Sequence, residues 1–317
     1  MSIRERVTLL VGGVGGAKLA LGLADVLPAG ALTVIVNTAD DFRHLGLHVS
    51  PDLDTVMYTL ADMANPKRGW GIAGDSLKAM SLVERYGGPS WFSLGDTDLG
   101  TNIYRTALLD EGHTLTAITE RFSKALGIEH TILPMTDDRV RTLIDTVDMG
   151  TLGFQDYFVR ERWQPVVTGI RFEGAAEARP TEAVLQAMAE SEVIILGPSN
   201  PLLSIDPILS VPGIRDASVA SKAPVVGVSP IVNGQAIKGP AAKLMAELKL
   251  DVSPVGVLRH YDSLLDGFIL DERDSALLDA VHNMGVQAAA RQTVMQTRPD
   301  KVRLANEILD WIEGSDL

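Results

Sequence analysis

Residues Thr8–Leu19 read TLLVGGVGGAKL: an apolar run, four glycines within five positions, then Lys18. No other stretch restricts the fold as much. A strand that runs through glycines into a helix start leaves backbone N–H groups pointing outward, and such a turn attracts phosphate. It sets the polarity of a first α/β unit and points to a phosphorylated or nucleotide ligand. The stretch is not a P-loop, because Ala17-Lys18-Leu19 lacks the hydroxyl that would follow the lysine. It is not a clean dinucleotide fingerprint, because Lys18 stands at the third glycine position. A tight turn with close helix packing would explain the same glycines. A lysine in the first helical turn favours the anionic ligand.

The rhythm of the chain extends that unit. Val7–Val11 is followed by a predicted helix from about Ala17 to Leu27, and Leu32–Asn37 is a β-branched strand. A polar loop, Thr38 to Ser50, leads to a helix with Ser50 as its predicted N-cap and Pro51 at its first position. Further helices are expected at Ser76–Tyr86, Leu99–Leu109 and Leu115–Leu126, and a strand at His130–Leu133. From about Val140 to Arg179 alternating segments separated by polar turns replace this rhythm. Strands resume at Val193–Leu196, Val225–Val228 and Phe268–Leu270, and Val302–Ile312 forms a closing amphipathic helix. The expected fold is α/β: a Rossmann-like, doubly wound, mostly parallel sheet with a smaller α+β insertion domain. The expected boundaries are 1–139 and 191–317 for the core and 140–190 for the insertion.

Composition narrows the function. The chain of 317 residues has no cysteine, which excludes disulfides, thiolate metal sites and cysteine nucleophiles and is compatible with a cytoplasmic protein. Its net charge of −13 disfavours nucleic acid. No run approaches the roughly 20 apolar residues of a membrane span. The six histidines show no metal-ligand spacing.

Ligands of doubly wound sheets sit beyond the strand C-terminal ends. That rule gathers Gly12, Gly13, Gly15 and Gly16 from the first strand and Asn37, Thr38, Asp40 and Asp41 from the second. Ser50, Asp52 and Asp54 come from the next helix start, Ser199 and Asn200 from Val193–Leu196, and Ser229, Lys238 and Lys243 from Val225–Val228 and its loop. Asp52 and Asp54 complement a helix dipole, but carboxylates beside phosphate call for a cation, and Mg2+ suits them. Asp96 and Thr97 open another helix and read as N-cap or ligand contact; Lys238 and Lys243 read as phosphate contacts or solvated surface. Trp70, Trp91 and Trp163 read as core packing or as platforms for a planar ligand.

Taken in order, GGVGGAKL, VNTADD, SPDLDT, GDTDLGT, LPMTDD, FQDYFV, GPSNPLLSIDPIL, VSPIVNG, KGPAAKLM and FILDERD resemble the 2-phospho-L-lactate transferase family of coenzyme F(420) biosynthesis. The resemblance implies a Rossmann-type fold with a smaller domain, magnesium, and a homodimer. It also implies a reaction. The ribityl hydroxyl of 7,8-didemethyl-8-hydroxy-5-deazariboflavin attacks the β-phosphorus of a guanylylated three-carbon acid, and GMP leaves. On this reading Asp54, with Asp52 as second candidate, holds the metal or orients the hydroxyl. The glycine amides of Gly12, Gly13 and Gly15 meet the diphosphate or the ribityl chain, Asn37 and Thr38 the deazaflavin or its ribityl arm, and Ser199 and Asn200 the guanosine side, with Lys18, Asp40, Ser50 and Ser229 as further substrate contacts. Thr97 departs from the family pattern, which has a basic residue there; Arg105, Lys67 and Arg68 are candidates to compensate. Asp54→Asn is expected to keep the fold and lose turnover. Two rivals are an NAD(P)-dependent oxidoreductase and a non-catalytic nucleotide- or deazaflavin-binding protein.

Overall fold

A computed structural model describes residues 3–317. Seven parallel strands form the central sheet: β1 (Val7–Val11), β2 (Leu32–Val36), β5 (Thr131–Pro134), β9 (Val193–Leu196), β10 (Val225–Val228), β13 (Gly267–Asp271) and β14 (Gln287–Arg291). Their spatial order is β14-β13-β10-β9-β1-β2-β5. The chain grows outward from β1 through β2 to β5, then returns to the other side of β1 and grows outward again. The order therefore reverses between β1 and β9, which is where such sheets open a ligand crevice.

Each strand feeds two cores by side-chain alternation. Leu9, Val11, Val34, Val36, Val193 and Ile195 face one side, packed with Leu19, Leu23, Leu304 and Ile308. Leu10, Ile35, Ile194 and Leu196 face the other, packed with Met188, Leu244, Val257 and Phe268. Burial on both faces explains why the strands read as unbroken apolar runs.

Helix α1 (Gly13–Val26) starts inside the glycine cluster, not near Ala17, so Lys18 lies in its second turn. Helix α2 (Pro51–Leu60) has Pro51 at its first position as expected, but the Ser50 side chain makes no capping bond. Helices α3 (Lys78–Arg85) and α4 (Asp96–Asp110) follow. The predicted polar loop after β2 contains a hairpin, β3 (Phe42–His44) with β4 (Leu47–Val49). The segment after Val140 forms an antiparallel sheet of β6 (Arg141–Thr146), β7 (Gly150–Gly153) and β8 (Val167–Glu173). Its Ile144 and Val167, with Tyr157 between β7 and β8, join the same core as Leu10 and Ile35. Short strands β11 (Ile231–Val232) and β12 (Gln235–Ala236) pair beyond β10. Among the described residues no helix is long and apolar enough to cross a membrane.

Candidate active site

A cleft of about 600 Å³ lies beyond the strand ends at the switch between β1 and β9. Gly12, Gly13, Gly15, Lys18, Asp40, Asp52 and Asp54 line it, as do Ser199, Asn200, Ser229 and Lys238. The strand-end rule thus brings most of the predicted residues together.

The glycines are dictated by close approach. A Cβ on Gly12 would stand 2.5 Å from Asp52 Oδ2, and one on Gly15 would stand 2.4 Å from the Pro198 carbonyl oxygen. The Gly12 amide does not point outward as expected. It donates to Ser199 Oγ at 3.2 Å, and that hydroxyl donates back to the Gly12 carbonyl at 2.9 Å. Ser199 therefore ties the β1 turn to the β9 turn. Asn200 is partly spent in the same way, since its Oδ1 accepts from the Leu202 amide, and the Ser229 hydroxyl bonds the Ile231 backbone.

Asn37 is fully buried and is not on the cleft wall, yet it organises the acids that are. Its Nδ2 donates to Asp40 Oδ2 and to Asp52 Oδ2, each at 3.1 Å. Burial pushes the Asp52 pKa up to about 6, against the Asn37 bond and the Gly13 amide, which favour its charge. Asp40 is raised well above the carboxylate range, by burial and by Asp52 beside it. Asp40 Oδ1 and Asp41 Oδ1 are buried without hydrogen-bond partners; Thr142 lies near Asp40, but its Oγ1 also stays unpartnered. Unmet carboxylate oxygens beside a phosphate-sized cleft fit a hard divalent cation. Among the described residues no group of three or more His, Cys, Asp or Glu is arranged to hold a metal. One or two carboxylates completed by substrate oxygens are what Mg2+ commonly uses.

Asp54 is buried against a side chain that the sequence reading left as a compensating candidate. Arg105 donates to both of its oxygens, to Oδ2 at 3.1 Å, and to Asn102 Oδ1 at 3.0 Å. Burial raises the Asp54 pKa and the Arg105 guanidinium opposes that shift. Arg105 is 2% exposed, so it does not replace the charge missing at Thr97.

Other predicted contacts fall elsewhere. Thr38 is buried and off the cleft wall, and Ser50 Oγ donates to Asp41 Oδ2 at 2.6 Å. Asp96 accepts from the Ser76 hydroxyl and the Lys78 and Ala79 amides, capping α3, while Asp75 accepts from the Thr97 and Asp98 amides, capping α4. Asp96 and Thr97 thus join two helix starts rather than line the cleft. Lys243 is also outside it, bonded to Glu247 at 2.8 Å and to the Pro165 carbonyl. Lys18 and Lys238 do face the cleft and hold only backbone carbonyls, of Met295 and Arg68 respectively.

Two further groups line the cleft, and of their residues the sequence reading offered only Trp91, as core packing or as a platform for a planar ligand. Trp91, Phe92, Leu94, Phe154 and Phe158 line the cleft as an apolar wall. Phe154 and Phe158 stack at 5.2 Å, and the Arg160 guanidinium lies 4.3 Å from the Trp91 ring. Asp98 and Tyr58 also line the cleft, the Tyr58 hydroxyl donating to Asp98 Oδ1 at 2.7 Å. The Asn102 amide reaches the same Asp98 oxygen at 3.3 Å. Asp98, Asn102 and Arg105 recur at helical spacing on α4, a polar stripe legible in the sequence once Asp54 is placed opposite it.

Comparison with known proteins places the whole chain in one family. The model of the 2-phospho-L-lactate transferase CofD family matches residues 7–312. A 2-phospho-L-lactate transferase of Methanosarcina mazei is 40% identical over 298 residues, 94% of this chain and 97% of that protein. A phosphoenolpyruvate transferase of Streptomyces griseus is 39% identical over 313 residues, 97% of this chain and 98% of that one. A solved structure of a upf0052 family member from Bacillus halodurans covers 96% of this chain and 99% of its own, with a TM-score of 0.65 at 16% identity, and shares the fold.

Proposed function

Since the chain belongs to the 2-phospho-L-lactate transferase CofD family and is with it a transferase of coenzyme F(420) biosynthesis, we propose a specific reaction for its cleft. The primary hydroxyl of the ribityl arm of the deazaflavin attacks the β-phosphorus of a guanosine-diphosphate-linked three-carbon acid. A phosphodiester forms and GMP leaves.

One observation carries this reading: an aromatic wall, a pair of clasped carboxylates and a lysine-flanked glycine turn line a single cleft. The wall of Trp91, Phe92, Phe154 and Phe158 suits a planar tricyclic ring, which gains from stacking as well as from burial. The glycine turn with Lys18 and Lys238 suits the diphosphate. Asp40 and Asp52, set side by side by Asn37, would hold Mg2+, which supplies charge neutralisation on the transferring phosphoryl group. Lys18 and Lys238 have no carboxylate partner among the described residues, so their charge is available to the leaving GMP. Arg105 holds Asp54 in place, and the apolar wall keeps water from competing with the ribityl hydroxyl. Such positioning and charge neutralisation are what phosphoryl transfer asks of a protein. Homodimerisation belongs to the same proposal, as the resemblance implies it. The test is GMP release that requires the deazaflavin: release without it would indicate hydrolysis, and none with it would remove the proposal.

A further inference from the structure

We propose that Asp98 is the catalytic base, taking the proton of the attacking hydroxyl on its Oδ2. This rests on the transferase reading above and adds the residue that reading leaves open.

Asp98 has the required geometry. It lines the cleft, and both side-chain bonds to its carboxylate among the described residues, from the Tyr58 hydroxyl at 2.7 Å and the Asn102 amide at 3.3 Å, go to Oδ1. Its Oδ2 is left free among the described residues, on a carboxylate whose orientation is fixed through the other oxygen. It is also in the right place. The loop that carries Trp91, Phe92 and Leu94 runs directly into the start of α4, so Asp98 follows the wall on which a planar acceptor would stack. Across from it, Tyr58 and Asp52 lie six residues apart on α2, about 9 Å of helix rise. That spacing leaves room for the attacking hydroxyl and the phosphorus between Asp98, at Tyr58, and the Asp40–Asp52 pair.

Asp54 and Asp98, whose charges interact, are held in opposite roles. Asp54 has both oxygens on Arg105, whose charge opposes its taking up a proton. Asp98 has no cation on it. The charged and titratable groups that face it are Asp54 and Tyr58 from α2, Arg105 from its own helix, and Asp75 from the preceding loop. Burial, then the Asp54 charge, lift its pKa to about 6. Neighbouring acids whose environments separate their affinities for protons commonly divide the acid–base work.

The step balances simply. The ribityl oxygen bonds to the β-phosphorus, the bond from that phosphorus to the GMP oxygen breaks with its electron pair on GMP, and the hydroxyl proton passes to Asp98 and then to solvent. The experiment is a pH–rate profile of D98N and Y58F beside the unaltered enzyme, with acceptor binding followed by deazaflavin fluorescence. The unaltered enzyme should show an acid limb in kcat. D98N should bind acceptor within about 3-fold, lose 100-fold or more of kcat, and lose the acid limb. Y58F removes a bond that favours the Asp98 charge, so its limb should move to higher pH. D98N with near-normal kcat, or an unmoved limb in Y58F, overturns the proposal. An unaltered enzyme that makes no phosphodiester would instead overturn the transferase reading itself.

Discussion

The Arg105 guanidinium closes on both oxygens of Asp54, an arginine 2% exposed against an aspartate 6% exposed. The pair ties α4 to α2 beneath the cleft. Removing one partner leaves the other charge buried, which typically costs about 3–5 kcal/mol. Arg105→Met and Asp54→Asn should both lower the unfolding free energy measured in urea by an amount in that range, and the urea midpoint with it. The sequence-based expectation that Asp54→Asn leaves the fold intact is revised for this reason. A midpoint unchanged in either variant would show that the pair contributes nothing to folding.

The glycine turn makes a steric prediction. Gly15→Ala places a methyl group 2.4 Å from the Pro198 carbonyl oxygen, an atom of the backbone that cannot swing aside. Overpacking of this kind usually costs about 1–3 kcal/mol or more. Thermal melting of Gly15→Ala should fall by several degrees. An unchanged melt would mean that the β9 turn yields.

The two predicted lysines should separate. Lys238 lines the cleft, whereas Lys243 is tied to Glu247 and Pro165 outside it. Lys238→Ala should lower kcat/KM by about 10-fold or more, as expected for losing a charge-assisted phosphate bond, and Lys243→Ala by less than 3-fold. Steady-state kinetics with the guanylylated donor decide this, and the reverse ranking would remove Lys238 from the phosphate site.

The buried acids set a pH dependence with an unusual sign. Asp52 and Asp98 are each raised from 3.8 to about 6, and burial raises Asp40 well above its ordinary value. Between those values the folded chain binds protons that the unfolded chain releases. Stability is therefore greatest at the acid side of this window and falls as pH rises through about 4 to 6. The lowered acids Asp75 and Asp300 act in the opposite sense, but only below about 3.8. Chelator-treated protein should melt higher at pH 5.5 than at pH 7.5. Added Mg2+ should raise the melt at pH 7.5 and have less effect at pH 5. A melt that drops steadily from pH 7.5 to 5.5 would contradict these shifts.

What the sequence discloses depends on how local the cause is. β9 and β10 are legible to the residue because both faces are buried and the apolar run has clear ends. β14 is missed because QAAAR has no β-branched or aromatic residue; it pairs beside β13, and its side-chain packing comes from small alanines that carry no strand signal. The β3–β4 hairpin is missed because each strand is only three residues long, too short for its alternation to stand out within a polar loop. In the site, the Gly12–Gly15 turn, Asp40 and Asp52 are found because each directly follows a strand or opens a helix. Trp91 is found only as one of three tryptophans; Asp98, Phe92, Phe154 and Phe158 are not found, since they come from segments distant in sequence that meet only across the cleft. Asp96 and Thr97 show the converse error: a motif beside the site whose acids cap neighbouring helices.

The most direct test is a mass-spectrometric end-point assay. Protein, Mg2+ and the deazaflavin would be incubated separately with guanylylated phospholactate, phosphoenolpyruvate and phosphoglycerate. The account predicts a deazaflavin phosphodiester and equimolar GMP with at least one donor. Folded protein that yields neither with any donor would contradict it.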